Sequence, residues 1–343
     1  MRFIILLYIL SFPLLIFSQN GGINSYSFIN VEISPRIEAM GGNLISIYDN
    51  DINLALTTPS LLNQKMHNEL SFSVINYVSD INLYSAIYVR DISKLGTVLI
   101  GFKIFNYGDF KLTDEIGNEY GIFNASDQVF TLSIGKQLFE NLSLGCSFNL
   151  ISSQYESYNA MAISSNLSTT YNSFKHNFTS TLICKNIGRS LNTYTNSKEY
   201  LPFEIQFGLS KILKHLPFRY HISYNNLNKF NISSPYKLTT QTNIETGDLE
   251  IKRETFAKTL LRHIIIGGEL NPFKKNLYLR TGFNFQKRFD MSLSTYPYLT
   301  GFSFGLGFKV YRFRFDYSRS FYHVASIINN FSITTNLSKK GLL

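Results

Sequence analysis

The chain has 343 residues and a formal net charge of +9, with 16% charged residues, 15% aromatic residues and no tryptophan. Two cysteines are too few for a disulfide framework, and the six histidines show no metal-ligand spacing. The cations are scattered rather than gathered as nucleic-acid binding requires. Two readings of the charge are left: attraction to anionic lipid or lipopolysaccharide phosphate, or a solvated basic surface.

The first element is a leader. Arg2 carries the only charge in the first thirty residues, and Phe3 to Phe17 is apolar apart from Ser11. A spanning helix needs about twenty apolar residues. This shorter run reads as the core of a secretory signal over residues 1–18, with Ser18 before the cleavage point. An uncleaved N-terminal anchor is the other reading, and either one exports the chain. No later segment is apolar enough for a membrane-crossing helix.

Residues 19–67 lack the strand alternation of the rest of the chain. Pro35 to Met40 predicts a helical turn stopped by Gly41-Gly42. Ahead of a barrel, such a segment can sit inside as a plug or hatch, its backbone satisfied against the lumen wall. A periplasmic tail is the alternative.

Residues 68–343 alternate with period two. Phe302, Phe304, Leu306, Phe308 and Val310 interleave with Gly301, Ser303, Gly305, Gly307 and Lys309. Successive strand side chains point to opposite faces, so both sets need a home. A closed barrel with lipid outside and water inside supplies both. Strands are expected over 69–78, 81–90, 95–107, 127–138, 142–154, 158–171, 175–187, 202–213, 217–227, 260–270, 277–288, 298–309, 310–321 and 327–337. That is fourteen, an even number, as bacterial barrels require. Gly108–Ser126 and Asn228–Thr259 read as loops. Short turns at Asp80, Glu140-Asn141, Leu216-Pro217, Pro272–Asn276 and Lys309–Tyr311 oppose longer connections, the asymmetry of short periplasmic turns and long outer loops. A soluble β-sandwich would use fewer and shorter strands. The expected fold is all-β: a transmembrane antiparallel β-barrel of about fourteen strands with an N-terminal hatch-like segment, in the outer membrane of a Gram-negative cell.

Parity assigns the faces. Val98, Ile100, Phe102, Ile104, Leu144, Phe148, Phe207 and Phe315 point outward. Lys103, Ser147, Asn149, Glu204, Gln206, Arg219 and His221 point inward. A charge facing lipid near the midplane costs about 2–4 kcal/mol, which explains the sorting. Arg280, Lys309, Arg312, Arg314 and Asp316 lie on three consecutive strands and form a candidate lumen basic cluster. It is either an anion or substrate site or an internal charge network that stiffens the barrel. Cys146 and Cys184 are one strand apart, and next-but-one strands lie about 9–10 Å apart, beyond the roughly 7 Å reach of a disulfide. Two free, buried thiols are expected.

Ser133-Ile134-Gly135-Lys136 matches the S-x-x-K pattern of penicillin-binding enzymes. That chemistry needs a helix to bring Lys one turn from Ser, whereas a strand sends the two to opposite faces. No phosphate-binding loop occurs. No enzymatic activity, metal or cofactor is expected.

The N-terminal segment carries a family resemblance. Tyr26-Ser-Phe28-Ile29, Ser34-Pro35-Arg36 leading to Ala39-Met40-Gly41-Gly42, the pair Asp49 and Asp51, and Pro59 to Leu61-Leu62 stand in order. This resembles the PorV/PorQ family of outer-membrane β-barrel proteins of the type IX secretion system, distantly similar to FadL-type transporters of hydrophobic compounds. Thr58-Pro59-Ser60 stands where the family has Asn-Pro-Ala, and Ser338 to Leu343 lacks the terminal aromatic of barrel-assembly signals. The resemblance implies a non-enzymatic anchor for a cell-surface attachment complex. Its implied partners are a PorZ-like surface protein, a PorU-like sortase, a PorV-like barrel and lipopolysaccharide. A FadL-like channel for hydrophobic or anionic small molecules is the alternative role.

Overall fold

The structure is a computed structural model that describes residues 25–77, 81–194, 199–232, 240–242, 249–251, 255–273, 276–293, 298–323 and 326–338. The leader at 1–18, the turn at Asp80 and the last five residues lie outside the described residues.

Strands β1 (Glu69–Asn76), β2 (Asn82–Ile92), β3 (Gly96–Thr113), β4 (Glu119–Phe139), β5 (Leu142–Tyr155), β6 (Tyr158–Ser173) and β7 (Phe178–Asn192) form the first half of the wall. β8 (Glu204–Ile212), β9 (Phe218–Tyr224), β12 (Ile264–Leu270), β13 (Leu277–Asn284), β14 (Phe302–Val310), β15 (Phe313–His323) and β16 (Ser326–Asn336) complete it. Between β9 and β12, β10 (Thr240–Thr242) and β11 (Leu249–Ile251) make a separate two-stranded sheet. The fourteen wall strands close into a barrel in which β1 pairs with both β2 and β16. Every pairing is antiparallel, and the closing register runs from Glu69↔Asn336 to Asn76↔Asn329. Closure removes the unpaired edges that lipid cannot satisfy.

The faces obey the predicted parity. Phe72, Ile100, Leu132, Phe148, Leu167 and Phe304 are exposed on the outside. Their inward neighbours Ser71, Ser73, Leu99, Thr131, Ser133, Ser147, Asn149, Asn166, Ser168 and Ser303 are buried. An apolar band of this extent on all sides belongs in a bilayer.

Some expectations need correction. Gly108–Ser126 is mostly strand: Asp109 to Leu112 pair with Asn124 to Gly121, extending β3 and β4 into a hairpin beyond the apolar band. Outside lipid, a hairpin needs no alternation, and this one is tied by the stacked pair Phe110–Phe123 with ring centroids 5.3 Å apart. Residues 260–263 are not strand, since Phe256–Arg262 is a helix and β12 begins at Ile264. Likewise Phe285–Met291 is a helix that ends β13 at Asn284, whose side chain accepts from Lys287 N. The thiols are free but half-buried rather than buried. They flank Leu167 across β6, on the outward face. The alternation of turn lengths is also not strict, because the outer β5–β6 connection holds only Glu156 and Ser157.

The hatch occupies the lumen. Its helix Pro35–Ala39 starts with the Ser34 hydroxyl accepting from Ile37 N, with proline at the first position, and stops at Gly41 and Gly42 with φ of +102° and +88°. A second helix, Ile52–Thr57, is capped by the Asp51 side chain accepting from Asn53 N. Its described part begins at the end of the outer connections, where Tyr26 donates to Asn192 O, and leaves at the short-turn end through Asn68 into β1. Apolar hatch residues Ile37, Met40, Leu44, Ile47, Leu54 and Leu61 form their own buried cluster.

The wall is shaped to take this backbone. Gly135 and Gly145 face each other across β4 and β5, and Gly267 and Gly282 across β12 and β13. A Cβ on Gly145 would stand 2.2 Å from Pro59 C, and one on Gly282 would stand 2.1 Å from Gly41 N. Real Cβ atoms do not approach backbone so closely, so each glycine pair is a recess for the hatch main chain. The recesses lie on nearly opposite walls of the closed strand order.

Candidate functional site

The site is the contact between hatch and wall. Arg36, on the first hatch helix, is buried and reaches three carboxylates. It donates to Asp49 at 2.8 Å, to Asp51 at 3.1 Å and to both oxygens of Glu269 on β12 at 2.8 and 2.9 Å. Arg219 of β9 bridges Asp49 and Glu269, at 3.1 Å each. Arg280 of β13 binds Glu269 at 2.8 Å and also Asp316 of β15. Arg314 pairs with Asp51 and lies 3.0 Å from Asp316. Four guanidiniums thus meet four carboxylates across hatch and wall. Bidentate arginine geometry suits such a site, since it satisfies both partners while fixing direction.

Burial alone pushes the Asp51 carboxyl up, but Arg314 and Arg36 override it and hold it below the ordinary carboxylate range. Asp49 is lowered in the same way by Arg36 and Arg219 against its own burial. Asp49 and Asp51 therefore stay ionised at neutral pH and keep their pairs with Arg36, Arg219 and Arg314.

A second anchor lies nearer the outer end. Glu38 accepts from Lys287 Nζ at 2.8 Å and from Ser320 at 3.1 Å. Ser303 donates to Ala39 O, and Asn284 donates to Gly41 O. On the other side, Glu32 lies 3.5 Å from Lys185 Nζ and accepts from Thr57.

The lumen differs between its ends. The outer half holds an apolar cluster in which Tyr26, Phe28 and Ile33 of the hatch pack against Leu83, Phe105, Ile151 and Leu201. Beside it, the buried Asp127 carboxylate accepts from the hydroxyls of Ser153, Tyr107 and Tyr155. At the short-turn end, a cavity of about 540 Å³ opens below the charge lock. Arg36, Asp49, Arg219, Glu269, Arg280 and Arg314 form its roof.

The residues singled out from sequence take distinct places. Pro35, Arg36, Ala39, Gly41, Gly42, Asp49, Asp51 and Pro59 are on the hatch at its caps, its lock or its wall contacts, and Leu61 lies in the hatch's own apolar cluster. The basic cluster divides: Arg280, Arg314 and Asp316 join the lock, while Lys309 and Arg312 line the cavity mouth. Glu269 and Arg219 complete the lock, and their only sequence signal is inward parity. Ser133 is buried on the inner face and Lys136 is exposed, so the S-x-x-K pair does not meet. Among the described residues, no cluster of metal-ligating side chains occurs.

A closed fourteen-stranded barrel, apolar outside and filled by an N-terminal hatch, is a transmembrane β-barrel of the bacterial outer membrane. No protein-family model and no curated protein matches the sequence. Solved structures resemble it in fold. CymD, a monoaromatic hydrocarbon channel, superposes with a TM-score of 0.53 at 14% identity, covering 91% of this chain and 99% of its own. The toluene transporter TodX of Pseudomonas putida gives 0.49 at 13% identity, covering 93% and 97%. A FadL homologue of Pseudomonas aeruginosa gives 0.47 at 9% identity, covering 88% and 98%. At such identity the likeness to CymD is one of fold.

Proposed function

We propose that this chain is an outer-membrane channel for small hydrophobic molecules, closed at rest by its hatch. The hatch carries the reading. It runs from an apolar, aromatic outer half of the lumen to a polar inner cavity and is fixed to the wall largely by ion pairs and small-residue recesses. That arrangement puts an apolar reception surface outside, water inside and a separable element between them. The fold shared with CymD makes a monoaromatic hydrocarbon a suitable first cargo to test.

The test is uptake of radiolabelled toluene into vesicles whose outer leaflet carries lipopolysaccharide, which slows unassisted entry of apolar solutes. Protein-bearing vesicles are expected to fill faster than empty ones, and deletion of residues 24–63 to change the rate further. Uptake equal to that of empty vesicles sinks the channel reading.

A second reading has its own observation. The β3–β4 hairpin projects beyond the apolar band and exposes Ile116, Tyr120 and Ile122 at 87%, 68% and 71%. Such a tip suits docking of a surface protein, as an anchor of a type IX attachment complex would require. Pull-down from native outer membranes is expected, on this reading, to recover a PorZ-like or sortase partner. Its loss when Ile116 and Ile122 become serine would tie the contact to the hairpin, and recovery of neither partner removes the reading.

A further inference from the structure

We propose that a single halide ion, chloride in natural surroundings, sits in a small cavity between hatch and wall beside Lys103 and Lys185 and helps to hold the hatch. The site shares no residue with the charge lock or the inner cavity, and it does not depend on whether cargo crosses.

Buried charge is the first argument. Lys103 of β3 and Lys185 of β7 point inward and are only 7% and 5% exposed. Glu32 of the hatch is the one acid that lines the cavity. Its carboxylate is already engaged, 3.5 Å from Lys185 Nζ and accepting from Thr57 Oγ1 at 2.8 Å. Lys103 has no hydrogen bond or ion pair among the described residues, and of its charged neighbours Glu32 attracts it while Lys185 repels it. Glu204 stands opposite Lys185 across β7 and β8, but it is outside the cavity lining and accepts from Asn226 N. A buried ammonium removed from water needs a counter-charge or acceptors. Strands β3 to β7 and the hatch from Ile29 to Thr57, which enclose the cavity, lie wholly within the described residues.

Size is the second argument. The cavity measures about 20 Å³. One water-sized particle needs about 10–15 Å³. A monatomic anion fits, whereas phosphate, sulfate and organic carboxylates are too large.

Donor balance decides between a halide and a water. Each ammonium carries three donors and no acceptor. Asn166 also lines the cavity: its Oδ1 accepts from Asn186 N, while its Nδ2 donates to no described group. Against these donors the lining holds one buried side-chain acceptor without a partner, Asn186 Oδ1. A water would bring two more donors into a space already rich in them, and a halide only accepts. The ion then bridges two elements. Lys103 and Lys185 belong to the wall, and Ile29, Glu32 and Thr57 beside the same cavity belong to the hatch. Lifting the hatch would uncover the ion and release it.

The experiment has two arms, both on the full chain in a non-ionic detergent. Crystals grown in sodium bromide are expected to give one anomalous peak in this cavity, within hydrogen-bonding distance of Lys103 Nζ. In solution, the amides of Ile29 and Val31, which donate to Tyr26 O and Phe28 O, are followed by hydrogen exchange. They are expected to exchange about tenfold more slowly in sodium chloride than in sodium gluconate of equal ionic strength, since gluconate is too large to enter. Lys103→Met is expected to lose both the peak and the chloride effect, and Lys111→Gln in the outer hairpin to keep both. Heat-modifiable gel mobility checks that each barrel is folded, and the two measurements on the parent stand without any variant. An empty or water-filled cavity in the bromide crystals, or equal exchange in chloride and gluconate, overturns the proposal. A peak and chloride effect that persist in Lys103→Met, or that vanish equally in Lys111→Gln, overturn the assignment to these lysines. None of these readouts involves uptake, so a failed site and a failed channel are told apart.

Discussion

Replacing Arg36 with methionine is expected to release the hatch while leaving the barrel closed. The substitution removes one guanidinium shared by Asp49, Asp51 and Glu269, all within 3.1 Å of it. The apolar stem is retained, so the change is chiefly one of charge. Breaking a buried ion pair from one side costs about 3–5 kcal/mol, because the partner is left desolvated. Here Arg219, Arg280 and Arg314 still face the three acids, which places the expected loss near the lower end, about 3 kcal/mol. All of it falls on the hatch-bound state. Conductance in planar bilayers is expected to rise, with more frequent opening. Proteolysis within residues 36–50 is expected to begin under conditions where the parent resists. Lys111→Met serves as control, since the Lys111–Glu119 pair is exposed and such pairs contribute about 0–1 kcal/mol. Parent-like conductance and cleavage in Arg36→Met would show that the ion pairs do not hold the hatch.

The second large effect is steric. Gly282→Leu is expected to expel Met40 and Gly41 from their recess without disturbing β13. The new Cβ would stand 2.1 Å from Gly41 N and 2.2 Å from Met40 C, both backbone atoms that cannot rotate away. In the strand itself leucine is no worse than glycine, which packs nothing and weakens strand interiors. Overpacking typically costs about 1–3 kcal/mol, and contact with main chain puts this case at the top of that range or beyond. The expected result is a normally heat-modifiable barrel whose amides at 40–42 exchange faster than in the parent. Gly121→Leu, where nothing lies within 4 Å, should change neither. Unchanged exchange at 40–42 in Gly282→Leu would refute the seating described for the hatch.

The barrel is legible in the sequence because lipid imposes a strict rule on every residue pair. Ile100 and Phe102 outside, with Leu99 and Lys103 inside, can be read directly from alternation. Where lipid ends, the rule ends. Asp109 to Thr113 carries Gly, Asp and Lys nearby and no clean alternation, yet it is paired backbone. The helices Phe256–Arg262 and Phe285–Met291 are hidden for the same reason, since apolar residues at strand ends do not reveal their period over about two turns. The lock is half legible. Arg36, Asp49 and Asp51 stand out by resemblance, but Glu269 and Arg219 lie 233 and 183 positions from Arg36, and only closure of the wall brings them together. Gly135, Gly145, Gly267 and Gly282 look like ordinary members of the inward set. Their use depends on what lies opposite, which no local pattern encodes.

One consequence of the enclosed segment concerns biogenesis. The hatch runs into β1 at Asn68, and β1 zips to β16 to complete the circle. A cylinder sealed all round cannot afterwards receive a folded insert pinned on nearly opposite sides. The insert must already be in place when the last seam shuts, so the curling sheet wraps it like a mould around a casting. In pulse-chase assembly, protease protection of residues 36–60 should therefore appear no later than heat-modifiable closure. Protection arriving afterwards would mean that the insert is threaded through a finished mouth instead.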